Sequence, residues 1–276
     1  MSFWKKLFGG KAEGKRSQSQ FKEYKAELNK LGLSTLDDLE NVVKPIIKKA
    51  TKLNVLPASR QPINSLLNSH FGGQPYFTKK EFWPTSEHGT KLAFIFQVYN
   101  TTDLPLPNGI ELIQFYYDWD EFPWDSSSDG WLVKIYKEAK KENLQRIDQP
   151  SELEKTKYCE ISASSVQTLP DWEGVALHCK TASKLSCVLD ENEHWDSYDQ
   201  IITKLIGEQG YQSQIGGYPK WVQGESTPND SEGNPMKLLF QIDSEDNAGV
   251  MWGDVGLIYV FYDEKTEKIE FTLQCH

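Results

Sequence analysis

The chain has 276 residues, 38% of them apolar and 25% charged, with 9 Trp, 12 Tyr and 13 Phe and a formal net charge of −10. A chain of this size buries about three quarters of its unfolded surface, so it needs no disulfide or metal staple, and its aromatics offset a lean aliphatic share. The acidic balance excludes a general nucleic-acid binder, the cysteines (Cys159, Cys179, Cys187, Cys275) form no CxxC pair or zinc spacing, and no apolar run approaches the roughly 18 residues of a membrane span.

Residues 1–20 form a basic tail in which Lys5, Lys6, Lys11, Lys15 and Arg16 stand against one acid, Glu13. Phe3, Trp4, Leu7 and Phe8 make a short apolar cluster among the lysines. It could touch a membrane surface weakly or simply fray, and two helical turns bury too little for stable anchoring. Gly9 to Gln20 reads as a flexible linker. From residue 19 to 53 the pattern is helical. Phe21, Tyr24, Leu28 and Leu31 recur at helical spacing, and Gly32 is a stop. Ser34 resembles an N-cap with Asp37 three residues on. A second apolar stripe then runs from Leu36 to Ala50, with Pro45 expected to kink or restart it.

The next strands are expected at Leu92 to Tyr99 and Ile110 to Tyr117. In the first, Leu92, Phe94, Phe96 and Val98 would face one way, and Ala93, Ile95, Gln97 and Tyr99 the other. Both faces are mostly apolar, which suits a strand covered on both sides. Asp118 to Gly130 is an acidic loop carrying Trp119 and Trp124. Trp131 to Tyr136, Tyr158 to Ser162 and Val175 to Cys179 read as short strands, and Trp195 to Ile206 as a helix. Strands at Leu238 to Ile242, Val255 to Tyr262 and Ile269 to Leu273 close the chain.

The order repeats. Shifting Ser69–Tyr99 by 144 positions onto Ser213–Asp243 aligns nine identities without a gap, among them Gly73 with Gly217, Pro75 with Pro219 and Gln97 with Gln241. In each copy a Gly-Gly-x-Pro turn leads into a strand that carries a glutamine. The expected fold is therefore α+β and internally duplicated. Its mainly antiparallel β units span about 55–136 and 195–276, with the N-terminal and inter-repeat helices packed on the sheets.

Phe71 to Pro75, Trp83-Pro84, Phe96-Gln97 and above all the run Leu238 to Asp263 with its Met251-Trp252-Gly253-Asp254 turn resemble the YwqG-like family, a bacterial domain of unknown function. The resemblance covers about residues 55–276 and implies an α+β fold with a duplicated antiparallel unit in a single domain, 21–276, and a cytoplasmic bacterial setting. It carries over no site residues.

Three constellations remain. Gln97 and Gln241 sit inside apolar strands, where an amide must be hydrogen-bonded; they could read a ligand or brace their own turns. The segment Asp243 to Asp254 offers hard oxygen ligands, but it departs from the EF-hand pattern. Its Met251 and Trp252 make either an adaptable contact surface or core. Histidines and serines are present, yet no nucleophile elbow, HExxH or P-loop is. The expectation is a non-catalytic, cytosolic protein-binding or adaptor module without cofactor or metal. Its partner would be another protein, in an immunity-type role by analogy, and Trp119, Trp124, Asp243, Met251, Trp252 and Asp254 would make the contacts. The alternative is a hydrolase, metal-dependent or otherwise, that uses the acids of the 243–254 loop.

Overall fold

Pro45 ends the helical region earlier than its apolar stripe suggests. The computed structural model describes residues 18–63 and 65–276. The Phe3–Phe8 cluster and the linker up to residue 17 lie outside the described residues. Helix α1 (Gln18–Lys30) already includes the last residues assigned to the linker. Helix α2 (Leu36–Val43) starts one residue later than the Ser34–Asp37 reading. Thr35 is the N-cap: its Oγ1 accepts from the Asp38 N–H at 3.1 Å, and Asp38 Oδ2 accepts from the Thr35 N–H at 2.9 Å, a reciprocal capping box. After a 3₁₀ turn with proline near its start (Lys44–Ile46), the chain becomes strand β1 (Lys48–Pro57). Ala50 therefore belongs to a strand and not to the helical stripe. Beyond the proline, Thr51, Leu53 and Val55 alternate with polar residues, and period two prevails.

The described residues fall into two units. The smaller comprises those up to Ile47 together with Asp171–Glu208 and is helical. Besides α1 and α2 it holds α3 (Trp172–His178), α4 (Lys180–Leu189) and α5 (His194–Ile206), which pack on one another, and Leu28, Leu39, Leu185, Tyr198 and Ile201 are buried. Lys184 pairs with Glu27 at 2.6 Å and Lys204 with Glu40 at 2.5 Å. The strand expected at Val175 to Cys179 is this α3. Asp171 caps it by accepting from the Gly174 N–H at 3.0 Å, and a short apolar run carries no period to warn of it.

The larger unit, Lys48–Pro170 with Gln209–His276, is built on one antiparallel sheet. Its other strands are β2 (His70–Phe71), β4 (Ala93–Tyr99), β5 (Leu112–Tyr117), β6 (Trp131–Tyr136), β8 (Cys159–Thr168), β9 (Gln214–Gly216), β10 (Lys237–Asp243), β11 (Leu257–Tyr262) and β12 (Ile269–Gln274). Two further short strands, β3 (Phe77–Thr78) and β7 (Leu144–Gln145), pair apart from it. The ten strands run in the order β12-β11-β10-β9-β1-β8-β2-β4-β5-β6. β1 and β8 pair at the centre along their whole length, with Asn54 opposite Ser162.

The sheet curls into a nearly closed, barrel-like shape. Trp131 on one edge strand stacks on Phe271 of the other at 5.1 Å. The loop between β5 and β6 covers the β12 edge: the Leu273 N–H donates to the Trp124 carbonyl at 2.8 Å, and the Phe271 N–H to Ser126 Oγ at 2.6 Å. The β12 edge is thereby blunted. The interior is a single packed core in which Phe96 and Phe240 meet edge to face at 5.1 Å, joined by Phe115, Phe271 and Trp252.

The alternation expected for β4 breaks at a bulge between Phe94 and Phe96. Phe94 packs on the outer face with Leu92, Phe77 and Tyr116, whereas Ile95, Phe96 and Val98 all belong to the inner core. The extra residue is what a bulge inserts. β10 carries the same irregularity between Leu238 and Phe240.

Candidate functional site

The repeated glutamines are braces. Gln97 Oε1 accepts from the Tyr76 N–H at 2.9 Å, while its Nε2 donates to the carbonyls of Leu66 and Asn68 at 2.9 and 2.8 Å. At positions 144 residues on, Gln241 Oε1 accepts from the Lys220 N–H at 3.0 Å and its Nε2 donates to the Gln212 carbonyl at 2.8 Å. Both amides are fully buried. Gly73 and Gly217, ahead of Pro75 and Pro219, have φ of 69° and 76°, where L side chains are strained. At each a Cβ would strike a neighbour, Gln61 in one case and Thr168 with Ala50 in the other.

The two acidic loops meet. Trp119, partly buried, stacks on Trp252 at 5.1 Å with an interplanar angle of 23°. Trp252 itself is fully buried and donates from its indole N–H to the Asp243 carbonyl at 3.2 Å, so its ring is core and offers no contact surface. Ser244 locks the turn, donating to the Gly256 carbonyl at 2.9 Å and accepting from the Trp252 N–H at 3.0 Å. What reaches solvent is Trp124 at 47% exposure, Met251 at 44% and Val255 at 53%, with the exposed Asp254 between the last two. The Trp124 ring lies along this turn, since a Cβ on Gly253 would stand 3.8 Å from its Cη2. Phe122 packs on Trp124 at 5.5 Å.

Two residues of this rim have a backbone that L side chains rarely adopt. Phe122 and the β-branched Val255 both have φ of 49°, a strained conformation that tends to persist where surrounding structure over-determines it. No signal in the sequence marks either. Asp118, buried at the root of the first loop, accepts from the Asp120 N–H at 3.0 Å and the Glu121 N–H at 3.2 Å through Oδ1. Its Oδ2 has no partner among the described residues.

A family model described as Domain of unknown function (DUF1963) matches residues 69–271, most of the chain. The chain belongs to this family. No curated protein matches it. Among the described residues of this DUF1963 protein, no helix is long and apolar enough to cross a membrane.

The acids of the DUF1963 chain's second loop do not converge. Asp243 accepts from the Ser244 N–H at 2.8 Å, Glu245 accepts from the Ser213 hydroxyl, and Asp254 points outward. Among the described residues no three His, Cys, Asp or Glu side chains could hold one metal ion together. Burial raises the Asp243 carboxyl above its ordinary range and pushes Glu245 up to about 7, against the Ser213 hydrogen bond that lowers it. The thiol of Cys159, itself buried, is also raised by desolvation, which disfavours the thiolate a nucleophile needs. Of the six residues read as contacts, the structure thus gathers Trp124, Met251 and Asp254 on one exposed rim, with Trp119 and Trp252 beneath it. Asp243 is half-buried at the base of the turn.

Proposed function

We propose that this protein is a non-catalytic protein-binding module of the adaptor kind, acting in the cytosol. Its contact surface is the rim formed by Trp124, Met251 and Val255, bordered by Asp254 and the acids of the 118–130 loop. The observation that carries the reading is the pairing of exposed apolar side chains with strained backbone at Phe122 and Val255, in loops that Trp119 and Trp252 fix from below. A rim of one large aromatic, a polarisable thioether and acidic neighbours suits a partner with an apolar anchor and basic surroundings. The finer kinship to the YwqG-like proteins belongs to the same proposal.

So does an origin by duplication. Its support is a set of bonds that recur 144 residues apart: Tyr99 N–H to Ser69 Oγ at 2.9 Å and Asp243 N–H to Ser213 Oγ at 3.0 Å, then Leu92 N–H to Pro84 O at 3.1 Å and Met236 N–H to Pro228 O at 2.8 Å. The strand order supports it too. β2-β4-β5-β6 lies on one side of the β1–β8 pair and β9-β10-β11-β12 on the other.

The test is affinity capture from the source cell with the wild-type chain, Trp124→Glu and Val255→Glu, each checked for unchanged melting. The proposal expects a protein held by the wild type and lost, by about tenfold or more, from both variants. Equal recovery on all three, or no specific protein on any, would overturn it.

A further inference from the structure

The two ends of the barrel are closed differently. At the end where β1 finishes, the turn that follows β10 is tied down. Asn247 Nδ2 donates to the Val55 carbonyl at 3.0 Å, the Lys157 N–H donates to the Ala248 carbonyl at 2.9 Å, and Ala248 and Val250 are buried in the core. At the end where β1 begins, the segment 101–107 that follows β4 plays the same part and buries Leu104 and Leu106. Among the described residues, however, no hydrogen bond joins it to β1 or β8; its bonds run within itself, to Asn100 and to Ile110. A cleft of about 460 Å³ remains there, within the range of roughly 300–1,000 Å³ typical of small-molecule sites.

The chemistry of that cleft is specific. Register puts Lys49, Thr51 and Leu53 on the inner face of β1, because Leu53 belongs to the core and side chains alternate along a strand. The floor is apolar, from Leu106, Ile215 and Leu239. Thr51 lines it at 6% exposure, and its hydroxyl takes no partner from the described residues. At the rim stand the ammonium of Lys49 and the carboxylate of Asp103, both exposed and neither ion-paired among the described residues. A hydroxyl open to the cleft and two opposite charges left free, around an apolar floor, are the groups that orient a ligand in an otherwise hydrophobic pocket.

We propose that this cleft binds a small apolar zwitterion of the free amino-acid class. The carboxylate meets Lys49 and the Thr51 hydroxyl, the ammonium meets Asp103, and the side chain rests on Leu106, Ile215 and Leu239. A zwitterion satisfies both rim charges, and with no net charge it is not repelled by a protein of net charge −10. An apolar monocarboxylate would leave Asp103 beside its own carboxylate, and an alkylamine would leave Lys49 beside its own cation.

The site lies apart from the Trp124 rim, and its test does not depend on a protein partner. The full chain is titrated calorimetrically with L-leucine and L-phenylalanine, and in parallel with 4-methylpentanoate, isoamylamine and glycine. The inference expects saturable binding of the first two. It also expects about tenfold weaker binding for each compound lacking one of the three features, the factor that loss of one charge-assisted contact brings. Lys49→Ala and Asp103→Asn, both at exposed positions, should lower leucine affinity about tenfold with melting unchanged. Failure of leucine and phenylalanine to bind would overturn the inference. So would 4-methylpentanoate binding as tightly as leucine, or leucine affinity unmoved in both variants.

Discussion

Replacing His70 by glutamine should remove an acid-sensitive step from unfolding while keeping the fold. His70 is fully buried beside the first Gly-Gly turn, and burial lowers its pKa from 6.5 to about 4. Its Nδ1 lies 2.7 Å from the Gly72 carbonyl, which can only accept, so Nδ1 carries the proton and Nε2 is left to accept from Gln61 Nε2 at 3.3 Å. In the native state the ring is thus held neutral. The unfolded chain takes up a proton near pH 6.5 and the folded chain only near 4, so stability is complete above about 6.5 and is lost as pH falls through that window. Two and a half pKa units at about 1.4 kcal/mol each set a ceiling of about 3.5 kcal/mol, of which about 3 kcal/mol is lost by pH 4. Glutamine is the replacement because Gln214, 144 residues on, donates to the Gly216 carbonyl at 2.9 Å beside the second Gly-Gly turn without titrating. The assay is urea unfolding of both proteins at steps from pH 7.5 to pH 4. The wild type should lose about 3 kcal/mol more than His70→Gln across that range. Parallel curves would refute the reasoning, since they would mean that the buried imidazole takes up its proton as easily folded as unfolded.

Glu245 acts in the opposite direction. Its folded pKa of about 7 lies above the ordinary 4.5 through burial, near Asp243, Lys52 and Asp246, so the folded chain holds the proton longer and stability falls as pH rises from 4.5 through 7. Glu245→Gln keeps an acceptor for the Ser213 hydroxyl and should be the more stable protein at pH 8 and no more stable at pH 4.5, by chemical denaturation; a gap independent of pH would count against it. Val255→Asn should raise stability by about 1 kcal/mol by relieving the left-handed backbone of a β-branched residue, read as a higher melting temperature, and an unchanged or lower value would mean that the strain is not stored there. Gln241→Leu leaves the Lys220 N–H and the Gln212 carbonyl without their partner and should cost about 2 kcal/mol or more. Gln97→Leu strands three main-chain groups and should cost more still; equal losses would show that solvent replaces the missing bonds.

Much of the sheet was legible because strand identity here is a local property. β4, β5, β6, β10, β11 and β12 fall where runs of aromatic and branched residues lie between turn signals, and burial on both faces of β4 follows from its apolar composition. The errors arose where local pattern loses to something outside the window. Ala50 and its neighbours suit a helix by composition until Pro45 interrupts the ladder of hydrogen bonds and β8 supplies a partner edge. The bulge at Ile95 adds a residue that no alternation rule can see, because its advantage lies in letting Ile95 and Phe96 both enter the core. At Val175 the run was too short to carry any period, and the Asp171 cap decided for a helix.

The candidate rim was half-legible for a related reason. Trp119, Trp124, Met251 and Trp252 stand out as large side chains in acidic loops, but which of them faces water depends on a closure that the chain makes between residues more than a hundred positions apart. Once the loop after β5 reaches across to the β12 edge, the stack of the partly buried Trp119 on the buried Trp252 becomes the plug between the loops. Trp124 is then held by its backbone carbonyl, which accepts from Leu273, while its ring remains outside. A main chain anchored in this way fixes where the half-exposed ring is rooted before any partner arrives. Binding through it would cost little backbone entropy, and that property separates Trp124 from the exposed Phe82, which has no such backbone bond among the described residues.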